Sequence, residues 1–166
     1  MSTKRRVFYS FHYEKDAMRT AEIRNIGALE KNTPVSDNEW EQIKAGGDHA
    51  IKRWIDDSMK NCSCIVVLVG EETANRKWVQ YEIRKAWSDG KGVVGIYIHN
   101  IKCPRSGFSQ KGNNPFDFIL NGTRLSSIVE CFEPYPADAY NDIAKNLKRL
   151  VEDAIKKKTD ISHAVI

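Results

Sequence analysis

The sequence predicts an α/β fold: a three-layer sandwich around a central, mostly parallel five-stranded sheet. Two runs, CSCIVVLVG and VVGIYIH, are β-branched and nearly continuous in apolar character, as strands covered on both faces are. Between them lies a helix-length segment, RKWVQYEIRKAWS, closed by the breaker DGKG. Strand, helix and strand joined this tightly form a parallel crossover unit. A last stretch with a clean 3.6-residue period, through Ile143, Leu147, Leu150, Val151, Ala154 and Ile155, supplies a covering helix.

The elements follow in order. RRVFYSF reads as the first strand, ending in Ser10 and leading through His12 into the helix-compatible segment EKDAMRTAEIRNIGALEK. NTPVSDNEWEQIKAGG is rich in turn formers, so it is expected to be mostly loop, with a short strand around Val35. After the two glycines, Asp48 starts a helix whose face carries Ile51, Ile55, Ser58, Met59 and Cys62. Residues 101–127, with CPRSGFSQKGNNPF and NGTRLSS, form a long loop insertion containing one turn of helix around 116–120. A short strand at 128–132 precedes Pro134 and Pro136, and the amphipathic C-terminal helix spans about 137–158.

With 166 residues the chain fits one domain with a core of its own, so residues 1–166 are expected to form a single unit. The formal charge of +4 is spread along the chain, which argues against nucleic acid; the densest basic run, Lys156 to Lys158, closes a helix where cations suit the dipole. Cys62, Cys64, Cys103 and Cys131 lack metal-ligand spacing, so no metal site is expected. Without a leader-like segment or a long apolar run, the expectation is a cytoplasmic protein with reduced thiols and no membrane association.

In open parallel sheets ligands bind outside the carboxyl ends of the strands. Ser10, Phe11 and His12 occupy the first such loop, residues 70–75 another, and His99 ends a strand at the same edge. No nucleophile elbow, phosphate loop or G-x-G-x-x-G follows a strand, which removes triad hydrolases, ATPases and hydride-transfer enzymes. On the helix RKWVQYEIRKAW, at 100° per residue with Val79 at zero, Ile83 falls at about 40°, Ala86 at about 340° and Trp87 at about 80°. Glu82 falls at about 300°, at the rim of this apolar stripe, with Trp78 one turn before it. A carboxylate so placed loses hydration and can stabilise a developing cation, but the same spacing also allows a solvent-facing Glu paired with Lys85 or Arg84.

These motifs in this order resemble a TIR-like domain: VFYSFHY as opening strand and loop, VSDNEWEQIKAGG as variable loop, and IKRWIDDSMKNCSCIVVLVGEETANRKWVQYEI as helix, strand and catalytic helix. The chain is most similar to the bacterial subgroup that includes the signal-producing TIR subunits of Thoeris antiphage systems. The resemblance implies a flavodoxin-like/TIR-like sandwich. It also implies an NAD-consuming signalling enzyme that cleaves the nicotinamide–ribose bond to give ADP-ribose or a cyclic ADP-ribose isomer. NAD is then the substrate and no cofactor is retained.

In such enzymes a glutamate in a W-x-x-x-E setting supports cleavage, and Trp78 and Glu82 match it, so the resemblance makes Glu82 catalytic and an anion near pH 7. It places Ser10, Phe11 and His12 along the dinucleotide pocket, Trp40 and Gly46 in the loop that closes on substrate and mediates self-association, and Trp78 against the nicotinamide. Arg76 or Lys77, at the helix start, would meet the diphosphate. Implied partners are further copies or other TIR-like subunits, and a separate effector reached through a diffusible product. The departures are Val79 after the tryptophan, AGG in the variable loop and the long insertion; they argue against adaptor-style receptor pairing. A noncatalytic TIR-like interaction module in bacterial signal transduction remains the rival expectation.

Overall fold

The computed structural model describes residues 4–27, 29 and 37–164. Four strands form the main sheet among them: β1 (Val7–Ser10), β2 (Cys64–Val69), β3 (Gly92–Tyr97) and, after a two-stranded hairpin of β4 (Ile119–Leu120) and β5 (Thr123–Arg124), β6 (Cys131–Phe132). Their order is β1-β2-β3-β6 and every pairing is parallel. Five strands were expected; the one around Val35 lies outside the described residues.

The helices are α1 (Tyr13–Arg24), α2 (Asp37–Ala45), α3 (Gly47–Met59), α4 (Lys77–Ser88) and α5 (Ala139–Ala164). Strand side chains alternate between faces. Val7, Tyr9, Cys64, Val66, Leu68, Val94 and Ile96 pack with Ile23 of α1 and with Ile143, Leu147, Leu150 and Val151 of α5. The opposite set, Phe8, Ile65, Val67, Val69, Val93 and Tyr97, packs with Ile51, Ile55 and Met59 of α3 and with Val79, Ile83 and Ala86 of α4. The sheet is thus central, with helices on both faces, and β2 and β3 are buried along their whole length.

Three expectations change. The stretch expected to be mostly loop contains α2, because Trp40 and Ile43 find apolar partners: Trp40 packs on Tyr13 and Trp54, and Ile43 on the α3–α4 core. Tertiary packing here outweighs weak local propensity. Of the helical turn expected around 116–120, residues 119–120 are instead the first strand of the β4–β5 hairpin, whose Asn121 and Gly122 have φ of 52° and 80°, the left-handed pair of a two-residue turn. The C-terminal helix starts after a 3-10 turn at Pro136–Asp138 and extends further than expected, to Ala164. No described helix is long and apolar enough to cross a membrane.

Candidate active site

The alternation that builds the core also aims the site. Ser10 is in phase with Phe8 on β1, and its register partner is Val67, so its side chain faces the α3–α4 layer and not α1. It is 1% exposed. Two residues on, the chain turns into α1 with His12 as its N-cap: Nδ1 accepts from the Lys15 amide at 3.4 Å, which leaves the proton on Nε2, 3.7 Å from Glu72 Oε2. Burial, aided by the positive charge of Arg76, pushes the His12 pKa below its ordinary value, so the ring is neutral near pH 7.

On α4 the apolar stripe is as the helical spacing requires, with Val79, Ile83 and Ala86 at 3%, 0% and 0% exposure. Glu82, at the rim of the stripe, is drawn in with it and is 8% exposed. The alternative of a solvent-facing Glu82 therefore does not hold; Lys85 instead pairs with Asp89 at 3.1 Å, and Arg84 lies over the Phe118 ring at 4.2 Å. Burial pushes the Glu82 carboxyl up to about 8, tempered slightly by the nearby Ser10 hydroxyl. That proximity falls short of a well-formed hydrogen bond: Glu82 Oε2 and Ser10 Oγ are both buried without a partner among the described residues. No charged side chain there stands close enough to shift the carboxyl. Burial thus favours the neutral form of Glu82, and working as an anion near pH 7, as expected of it, would require a cation beside the carboxyl.

The carboxyl opens onto a cleft of about 1220 Å³, which Phe11, His12, Trp40, Arg76 and Trp78 also line. Its wall is a relay of rings. Phe11 stacks on Tyr13 at 6.0 Å, Tyr13 meets Trp40 at 5.5 Å, Trp40 meets Trp54 at 5.9 Å, and Trp54 meets Phe8 at 6.1 Å. Trp78 stands edge-on to Tyr81 at 5.8 Å with Lys77 Nζ 4.8 Å above its ring. Arg76 is exposed at the N-cap of α4, where free amides and a cation share the rim.

Of the residues singled out in the sequence, Phe11, His12, Trp40, Arg76, Trp78 and Glu82 meet on one cleft, and Ser10 stands behind the carboxyl. Gly46 does not line it; it is the exposed cap between α2 and α3. His99 is buried at the end of β3 against Tyr97, also outside the cleft. Tyr13 and Trp54 were missed. Both are aromatics interleaved with charged residues on helices, and only the unforeseen α2, which sets Trp40 between them, makes them part of a wall.

Residues 8–102 match the family model described as Thoeris protein ThsB, TIR-like domain. The chain belongs to this TIR-like family. It is 37% identical over 120 residues to a Bacillus cereus (strain MSX-D12) protein named "Putative cyclic ADP-D-ribose synthase ThsB1", across 69% of this chain and 62% of that protein. The family match ends at the start of the long insertion and covers every residue that lines the cleft except Arg6 and Val7.

Proposed function

We propose that this TIR-like protein consumes NAD, cleaving the nicotinamide–ribose bond to release nicotinamide and form ADP-ribose or a cyclic ADP-ribose isomer as a signal in antiphage defence. The observation that carries the reading is the burial of Glu82, without a counter-charge among the described residues, in a cleft walled by aromatic rings. The name borne by the Bacillus cereus relative points to the same chemistry.

A buried carboxyl with no cation beside it is matched to a ligand that brings one. The nicotinamide ring of NAD is cationic; as it binds, its charge pulls the Glu82 pKa down and the acid ionises. As the C–N bond breaks, its electron pair goes to nicotinamide, which leaves neutral, so no general acid is needed. Positive charge then develops on the ribose, where the Glu82 anion stabilises it. Attack by water gives ADP-ribose, and attack by the adenine or the distal ribose of the same molecule gives a cyclic product, favoured when the cleft holds the substrate folded; either route releases one proton from the attacking group to solvent. Trp78 offers a face for the nicotinamide, and Arg76 with the free amides of α4 suits the diphosphate. Self-association through the α2 region would close the cleft, and a separate effector would read the diffusible product.

The test is incubation of the purified protein, at concentrations that permit self-association, with NAD, following nicotinamide and adenine-containing products. Wild type should release nicotinamide and Glu82→Gln should not. Equal turnover in the two would remove Glu82 from the chemistry.

A further inference from the structure

The insertion after β3 is the motif the sequence singled out and the proposed chemistry leaves unused. It does not wander off the molecule. Arg19 of α1, itself 3% exposed, donates from Nε to the Ile101 carbonyl and from Nη2 to the Gly107 carbonyl, both at 2.8 Å, while Nη1 pairs with Asp16 at 2.9 Å. Gly112 lies so close to the Gly70 carbonyl at the exit of β2 that a Cβ there has no room. Gln80 of α4 donates from Nε2 to the Ala74 carbonyl and to the Pro115 carbonyl, each at 3.0 Å. Phe116 then enters the core, fully buried. One stretch of chain is therefore fastened in turn to α1, to the loop after β2 and to α4, the elements that carry His12, Glu72 and Glu82.

Arg19 and Gln80 act through backbone carbonyls, so what they hold is the path of the chain and not one side chain. Gln80 sits two residues before Glu82, and both its amide hydrogens are engaged, one within the β2–α4 loop and one on the insertion. A positioned acid is sensitive to displacement: a misplacement of about 1 Å can cost on the order of 100-fold in rate.

We propose that the insertion is a strap that sets the Glu82 carboxyl against the Ser10–His12 loop, with Arg19 and Gln80 as its positioning residues. The inference rests on the NAD-cleaving reading above, and the strap lies beyond the matched family region except at its first two residues. Its variants are chosen at Gln80, because removing Arg19 would strand the buried Asp16. Gln80→Glu keeps the shape but turns two donors into acceptors facing two carbonyls; Gln80→Lys returns a donor.

Nicotinamide release and hydrogen exchange are measured on wild type, Gln80→Glu, Gln80→Lys and Glu82→Gln. In Gln80→Glu, exchange at residues 112–118 rises and kcat falls about 10-fold with KM within about two-fold, while Gln80→Lys recovers to within about three-fold of wild type. An active wild type whose kcat is untouched when exchange at the strap rises overturns the strap alone. So does a loss of kcat in Gln80→Glu that the lysine does not recover. A wild type that releases no nicotinamide overturns the strap together with the reading beneath it.

Discussion

Asp16 and Glu82 are both buried acids, 2% and 8% exposed, and each keeps one oxygen without a partner among the described residues. Burial raises the pKa of both. They differ in company. Asp16 has the Arg19 guanidinium 2.9 Å away, and that charge pulls its pKa back. Glu82 has only a serine hydroxyl. A buried acid with its counter-charge built in completes a network and serves the fold; one left without is stable as the neutral form and gains most from a cation that arrives from outside.

The sharpest way to break this contrast is to exchange each acid for its amide. Glu82→Gln should lower nicotinamide release by about 1,000-fold, the scale of removing an electrostatic stabiliser of the transition state, while the fold is retained. Asp16→Asn should do the reverse: it leaves Arg19 buried without its charge partner and should cost about 3 kcal/mol of stability, read by denaturant unfolding. Equal effects of the two on the same observable would erase the distinction.

Stability against pH sharpens it next. The folded pKa of Glu82, about 8, lies above its ordinary value of 4.5. The unfolded chain therefore releases this proton first, and the contribution is fully present below about pH 4.5 and lost as pH rises through about 8. At pH 7 ionising the unfolded chain favours unfolding by on the order of 3 kcal/mol, so Glu82→Gln should be the more stable protein at neutral pH and should lose this part of the slope. In kinetics, kcat/KM, which reports the free protein, should rise towards pH 8, whereas kcat, which reports the complex, should level off at lower pH because the bound cation favours the carboxylate. The smallest effect belongs to Ser10→Ala. Removing the hydroxyl that tempers Glu82 should move the kcat/KM limb to higher pH and leave the Asp16–Arg19 pair undisturbed.

Much of this was legible in the residues. The β-branched runs specify β2 and β3, the 3.6-residue stripe through Val79, Ile83 and Ala86 specifies α4, and the same arithmetic sets Glu82 at the rim of the core. Arithmetic could not say which way the rim falls, because that depends on what stands opposite; Ser10 on β1, in register with Val67, stands beside the carboxyl.

The signals for α2 and for the hairpin were present and outweighed by composition. Trp40 and Ile43 lie three apart, as on one helix face, and Asn121–Gly122 is the preferred pair of a two-residue turn. The pKa of Glu82 was not legible for a physical reason: the helix shows where a carboxyl sits, but its ionisation depends on its burial and on every charge within a few ångströms, and those come from elements far apart in the chain. The strap was unreadable for the same cause, since Arg19 and Gln80 meet their carbonyls 82 and 35 residues away.

The most direct test follows the Glu82 side-chain carboxyl carbon by NMR across a pH titration of the ligand-free protein, assigned against Glu82→Gln. The expected midpoint is near 8, falling when a nicotinamide cation is added. A midpoint near the ordinary glutamate value, unmoved by the cation, would contradict it.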